Sequence, residues 1–154
     1  MKKILYVSGS KFPLAGLAGA IHSGSLPAGK EPAVSALWSL PFMKLNKNNE
    51  GEIISLGEDE QGNKIFALSI KGDRALINRL IDSFISIYQR APEELYMVDI
   101  KFRENYLLRA GQILCRSVIL TPLGRTIVLA GVKKIFDSLN QLVHEQKQGK
   151  GKLP

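Results

Sequence analysis

The feature that most constrains this sequence is an alternation of short apolar runs with longer segments of helical periodicity. The apolar runs are Ile4 to Val7, Leu95 to Val98 and Ile127 to Ala130. A segment whose apolar residues recur at three- and four-residue steps follows each later run. Such runs are typical of buried strands, and strands that alternate with helices are typical of a parallel sheet. We therefore predict three parallel strands, each followed by a helix.

A different pair of strands is predicted between the first two of these units. Glu52 to Leu56 and Lys64 to Ile70 flank residues 57–63, Gly-Glu-Asp-Glu-Gln-Gly-Asn, which are rich in turn formers. This pattern predicts an antiparallel hairpin. The predicted fold class is α/β, a three-layer, Rossmann-like arrangement in which helices cover both faces of a mostly parallel sheet of four to five strands with an antiparallel edge hairpin.

The first predicted helix, from Pro13 to Ser23, carries four small residues at helical spacing, Ala15, Gly16, Gly19 and Ala20. Small residues let a helix backbone approach a sheet or another helix closely, so this helix depends on its packing. Four further helices are predicted. The first covers residues 33–40, and the second begins after Asp73, which is a good N-cap residue. The third covers residues 104–119, and the fourth begins at Val132. Residues 44–51 are predicted to be a polar linker.

The length and composition indicate one globular domain. With 154 residues, 45% hydrophobic and 23% charged, the chain can bury a substantial core. We predict a single domain over residues 1–147 and a flexible basic tail over residues 148–154, where glycines and Pro154 interrupt any helix.

The same features predict a cytoplasmic protein. Cys115 is the one cysteine, so an internal disulfide and a cysteine-based zinc site are excluded. No apolar stretch approaches the roughly 20 residues that a membrane helix needs. The first apolar run ends after Val7, too early for a signal peptide.

The charges are distributed unevenly around the predicted strands. The net charge is +7, which favours an anionic partner: a phosphate ligand, a nucleic acid or an acidic protein. Acidic residues predominate before the strands, at 58–60 and 93–94. Cations predominate after the strands, at Lys11, Lys71, Lys101, Arg103, Lys133 and Lys134.

This distribution predicts an anion site at the carboxyl ends of the strands. Ligands of open α/β sheets bind there, and helix N-termini add positive partial charge. The predicted ligand-binding residues are Ser8, Ser10, Lys11, Arg103 and Asn105, and Asp99 is the candidate catalytic carboxylate. The alternatives are solvated surface lysines, serines that only shape a turn, an Asp99 that only caps a loop, and an Asn105 that only begins a helix.

No motif in the sequence names a cofactor or a reaction. Neither G-x-x-x-x-G-K-[ST] nor G-x-G-x-x-G fits the loop after the first strand, which disfavours a standard ATPase or dinucleotide enzyme. His22 falls near the end of the first helix, where a cation suits the helix dipole. No metal site, Ser-His-Asp or His-x-x-x-His arrangement is visible, and the cofactor is unknown.

Three stretches resemble an uncharacterised family of small proteins from anaerobic and spore-forming Gram-positive bacteria, a domain of unknown function. They are residues 20–27 (Ala-Ile-His-Ser-Gly-Ser-Leu-Pro), residues 57–63 of the hairpin, and Leu123-Gly124-Arg125. Asp99 and Asn105 match an Asp and an Asn of that family. The loop after the first strand departs from the Gly-, His- and Ser-containing loop of the family. The resemblance implies the domain and no activity.

Two functions remain open at this stage. The first is binding of a small phosphate- or carboxylate-bearing ligand, with or without catalysis. The second is a non-enzymatic interaction protein whose basic face contacts an acidic protein partner. Nucleic acid is disfavoured because no binding motif is present and only 7% of residues are aromatic.

Overall fold

The computed structural model describes residues 1–43, 50–87 and 95–149, which form an open sheet with helices packed on it. The elements in chain order are β1 (Lys3–Ser8), α1 (Leu14–His22), α2 (Val34–Ser39), a 3-10 turn (Pro41–Met43), β2 (Ile53–Glu58), β3 (Lys64–Ser69), α3 (Arg74–Ile87), β4 (Leu95–Ile100), α4 (Tyr106–Cys115) and α5 (Thr121–Lys147). Residues 44–49 of the predicted linker and 150–154 of the predicted tail lie outside the described residues.

Within the described residues, the sheet has four strands in the order β2-β3-β1-β4. β1 pairs in parallel with β3 and with β4, and β2 pairs antiparallel with β3 at one edge. The predicted α/β class, the mostly parallel sheet and the edge hairpin are therefore confirmed. We call the end at which β1, β3 and β4 finish the carboxyl edge, and the opposite end the amino edge.

The strand predicted at Ile127 to Ala130 is wrong, because these residues lie inside the 27-residue helix α5. Their apolar run belongs to a helical stripe that buries Gly124, Val128 and Gly131. A short apolar run fits a buried strand and a buried helix equally well, so periodicity alone does not separate them. Gly131 does not end a strand; it lets α5 approach α4, since a Cβ there would lie 2.8 Å from Leu108 Cδ2.

Helix α1 packs on one face of the sheet, and all nine of its residues are buried. Its glycines face large side chains: a Cβ on Gly16 would lie 2.7 Å from the Phe42 ring, and one on Gly19 would lie 3.3 Å from Ile65 Cγ2. The prediction that small residues allow this helix to approach its neighbours closely is confirmed. The main core lies between α1, α5 and this face of the sheet.

A second apolar cluster lies on the other face of the sheet, where Leu5, Val7 and Leu68 are buried. The chain passes from β1 through α1 to β3, and from β3 through α3 back past β1 to β4. Right-handed crossovers that run in opposite directions place their helices on opposite faces. We predict that α3 covers this face as a third layer. The burial of Ile77, which lies in α3, agrees with this prediction.

Helix α4 and the first part of α5 form a helical hairpin that projects beyond the carboxyl edge. Asn105, just before α4, donates from Nδ2 to the Gly131 carbonyl at 3.0 Å, so Gly131 lies near this edge. Lys147, at the other end of α5, lines a cavity with Lys2 at the amino edge. The part of α5 from Gly131 to Lys147 is about 24 Å long at 1.5 Å per residue, which is enough to cross the sheet. The part of α5 before Gly131 therefore extends past the sheet.

We expect Gly124→Ala to lower the free energy of unfolding by about 1 to 3 kcal/mol, because the close contact of α4 and α5 has no room for a methyl group. A Cβ at Gly124 would lie 2.8 Å from the backbone nitrogen of Cys115. The matched control is Gly72→Ala, since no described atom lies within 4 Å of a Cβ there. Urea unfolding of both variants checks this. Equal losses would contradict the tight contact between the helices.

Candidate functional site

The carboxyl edge holds most of the predicted site residues on two neighbouring loops. Ser10 and Lys11 follow β1, and Arg103 and Asn105 follow β4. A hydrogen bond from the Phe12 backbone nitrogen to Glu104 Oε2, at 2.9 Å, joins the two loops. Lys11 and Arg103 are both exposed. The structure thus places these two cations on loops that lie side by side.

The serines and the asparagine make local hydrogen bonds. The Ser10 hydroxyl donates to the Phe12 carbonyl at 2.8 Å and lies 3.3 Å from the hydroxyl of Ser8, which leaves Ser8 as the donor to Ser10. Asn105 accepts from the Leu108 backbone nitrogen at 3.0 Å, as an N-cap of α4. These contacts order the two loops and the start of α4.

Asp99 lies within β4, opposite Val7 of β1. Successive side chains of a strand point to opposite faces, and Val98 and Ile100 belong to the main core. Asp99 therefore points toward the second face, whereas Ser8 shares the face of Tyr6. The structure does not bring Asp99 and Ser8 together.

The number of cations that follow strands is smaller than predicted. Lys133 and Lys134 lie inside α5, because no strand precedes them. Lys133 Nζ is 2.9 Å from Glu31 Oε2, and Lys134 Nζ lies 5.7 Å from the centre of the Tyr106 ring. The cations that do follow strands are Lys11, Lys71, Lys101 and Arg103.

A buried chain of three polar side chains lies toward the amino edge. The Tyr6 hydroxyl is 2.6 Å from His22 Nδ1, and His22 Nε2 is 3.3 Å from Asp59 Oδ2. Tyr6 is 0% and His22 2% exposed. The chain runs from the middle of β1, through the last residue of α1, to the turn of the hairpin. It connects three parts of the fold that are distant in sequence.

The protonation states in this chain follow from its hydrogen bonds. Asp59 accepts from the backbone nitrogens of Gln61 and Asn63 at 2.8 Å and from Asn63 Nδ2 at 2.9 Å. Burial acts to raise the pKa of Asp59, but these donors outweigh it and hold the pKa below its usual 3.8. An ionised Asp59 selects the tautomer with the proton on His22 Nε2, and Nδ1 then accepts from Tyr6.

Burial also keeps the other two groups neutral. It lowers the pKa of His22, against the attraction of Asp59, and Lys147 lowers it further. Burial, followed by the charge of Asp59, raises the pKa of Tyr6. The stable arrangement is thus a neutral tyrosine, a neutral imidazole and a carboxylate.

A cavity of about 160 Å³ opens at the amino edge beside this chain. The Lys2 backbone nitrogen donates to Asn63 Oδ1 at 3.0 Å, which fixes the start of β1 against the hairpin turn. The cavity contains both cations and carboxylates. It is lined by Lys2, Ile4, His22, Asp59, Glu60, Gln61, Asn63, Tyr96, Gln146, Lys147 and Gly149.

This site is not evident from the sequence, in which His22 has the position of a cation at a helix end and residues 57–63 have the composition of a turn. One signal was available: His22 and Asp59 lie in two of the three stretches that carry the family resemblance. Among the described residues, no group of three His, Cys, Asp or Glu side chains is placed to hold a metal ion.

These features define a small α/β domain with an open mixed sheet and a candidate site at each end of its strands. The chain belongs to the family described as protein of unknown function (DUF3189), whose model matches residues 3–148. No curated protein and no solved structure matches the chain. Within the described residues, no helix combines the length and apolar character required to cross a membrane.

We expect the free energy of unfolding to decrease as the pH falls below the usual His pKa of 6.5. The unfolded chain then binds a proton at His22 that the folded state resists, because burial lowers the folded pKa. Asp59 adds a further loss below 3.8, since its folded pKa is also lowered. The groups that act on His22 are Tyr6, Asp59 and Lys147.

Urea unfolding at about pH 7.5 and about pH 5.5 measures this change. His22→Gln is the comparison, because it removes the buried imidazole and retains His144. The variant should lose less stability between the two pH values than the wild-type protein does. An identical loss in both proteins would show that His22 does not cause it.

Proposed function

We propose that this protein binds a small anionic ligand, bearing phosphate or carboxylate, at the carboxyl edge. The observation that carries the proposal is the strand order. The adjacent strands β1 and β3 send their connections in opposite directions across the sheet. Open α/β sheets bind ligands in the crevice outside such a switch point, and the loop that bears Lys11 lies there.

The electrostatics of this edge support an anion. Helices α1, α3 and α4 each follow a parallel strand, so their N-termini lie toward the carboxyl edge and contribute positive partial charge. The Phe12 amide, just ahead of α1, already binds the Glu104 carboxylate. Lys11 and Arg103 remain exposed on the two joined loops and supply mobile positive charge.

The predicted site residues have different roles in this proposal. Lys11 and Arg103 attract the ligand, whereas Ser8, Ser10 and Asn105 hold the loops in place through their internal hydrogen bonds. Asp99 stays the candidate base for any reaction of a ligand that reaches the second face. Asp99→Asn should then leave binding of inorganic phosphate intact, because Asp99 points away from the loops that bear Lys11 and Arg103.

Binding of inorganic phosphate and pyrophosphate, measured by calorimetry, tests the proposal. Lys11→Gln and Arg103→Gln should each weaken binding about three- to tenfold at low salt, and by less at about 0.5 M salt, because exposed charges are screened. The matched control is Lys2→Gln at the amino edge, which should leave phosphate affinity unchanged. Absence of binding by either anion, or an equal effect of Lys2→Gln, would contradict the carboxyl-edge site.

A second candidate function is supported by the helical hairpin of α4 and α5. Val118 and Ile119, at its tip, are 90% and 88% exposed. No acidic residue occurs between Glu104 and Asp137. The same segment carries Arg109, Arg116, Arg125, Lys133 and Lys134. An exposed apolar tip within a purely basic segment suits an acidic protein partner, and the charge disfavours a second copy of this chain.

The apolar surface also continues along α4. Tyr106 and Ile113 are exposed and seven residues apart, so they share one face of the helix. The exposed apolar surface therefore extends along about 10 Å of α4, in addition to the tip of the hairpin.

The double variant Val118→Ser, Ile119→Ser tests this surface. We expect it to weaken binding of a synthetic amphipathic helix with a glutamate face and a leucine face about tenfold, with unchanged thermal stability, because both side chains are exposed. Val34→Ser, at an exposed valine on another helix, is the control. Binding to phosphatidylserine vesicles but not to the peptide would overturn the choice of a protein partner.

A further inference from the structure

We propose that the cavity at the amino edge is a separate binding site for a free amino acid or another zwitterion of that size. The volume of about 160 Å³ sets the size. An apolar cavity of about 150 Å³ holds a molecule of benzene, so this space suits about six to ten heavy atoms. The smaller amino acids fall within that range.

The charges that line the cavity favour a ligand with both signs. Lys2 and Lys147 contribute two cations, and Asp59 and Glu60 two carboxylates. A ligand that is only anionic meets the buried charge of Asp59, and one that is only cationic meets the two lysines. A zwitterion avoids both costs, because each of its charged groups has an opposite charge to approach.

Lys2 is the residue that binds the carboxylate of the ligand. Its Nζ lies 4.9 Å from the centre of the Tyr96 ring, and within the described residues it makes no ion pair. Its ammonium therefore has donors to offer, while the ring keeps it at the cavity wall. Lys147 is less available, since its Nζ lies 3.9 Å from Glu60 Oε1.

The side of the cavity opposite Lys2 favours the ammonium group of the ligand, because it carries negative charge. Helices α1 and α5 both end at this edge, so the negative ends of two helix dipoles point toward it. Asp59 adds a full negative charge. Its oxygens are already occupied by four donors, from Gln61, Asn63 and His22, so it acts through its charge and not as a new acceptor. Glu60 is exposed at the rim and faces Lys147 with Oε1, so its second oxygen is the one that can accept a hydrogen bond from the ligand.

Tyr6 and His22 are positioning residues in this site. They lie behind Asp59 and hold its carboxylate in place from inside the core. Because the Lys2 backbone is bound to Asn63 of the same turn, the start of β1, from which the Lys2 side chain extends, is fixed relative to Asp59. A carboxylate that is held in this way loses little entropy when a ligand binds.

Calorimetry with alanine, glutamine and leucine, against propionate and ethylamine, tests the site. Propionate and ethylamine each retain one charged group of alanine. We expect at least one amino acid to bind about tenfold more tightly than either single-charge compound, which corresponds to about 1.4 kcal/mol. If propionate bound as tightly as the best amino acid, the proposal of a zwitterionic ligand would be wrong. It would also be wrong if none of the three amino acids bound at about 10 mM.

Variants at the two edges separate this site from the phosphate site. Lys2→Gln should weaken amino-acid binding about fivefold or more, and Lys11→Gln should leave it unchanged, the reverse of their effects on phosphate. Both positions lie at the surface, and circular dichroism checks that the variants fold. Weaker amino-acid binding by Lys11→Gln alone would place the amino acid at the carboxyl edge and overturn the proposal, whatever the result with phosphate.

Discussion

The buried contact between His22 and its two partners is the constraint on which the arrangement of this domain depends. An imidazole inside a core must have both nitrogens satisfied, and here one lies against β1 and the other against the hairpin turn. The end of α1 is therefore fixed relative to the sheet in position and in rotation. This fixes the direction in which α1 leaves the carboxyl edge, and with it the course of the loop that bears Lys11.

The two edges of the sheet differ because of the direction of the chain. Helices that follow parallel strands start at the carboxyl edge, and α1 and α5 end at the amino edge. The backbone alone thus gives the edges opposite partial charge. At the carboxyl edge the cations lie on exposed loops, whereas at the amino edge opposite charges surround a defined cavity. The first suits attraction of an anion, and the second suits selection of a particular molecule.

The sequence predicted the parts of the fold that depend on local pattern and missed those that depend on distant contacts. Apolar runs and turn formers located β1, the hairpin and β4, and Asp73 and Asn105 begin their helices as their side chains suggest. The strand predicted at Ile127 was wrong because a short apolar run fits a buried strand and a buried helix alike, and no local pattern shows that this run packs on α4. His22 and Asp59 are 37 positions apart in the sequence, and no spacing rule joins them.

The central position of β1 determines the order in which the sheet can be completed during synthesis. Lys3, in β1, pairs with Lys64 of β3 and with Leu95 of β4, and both of these strands follow β1 in the chain. Of the four described strands, β1 thus leaves the ribosome before both strands that pair with it, and one of its two sides stays unpaired until β4 has emerged. The hairpin of β2 and β3 is the local part of the sheet, and such contacts form faster than distant ones. Between the synthesis of β1 and that of β4, a nascent chain therefore exposes an incompletely paired apolar strand, the kind of surface that chaperones bind.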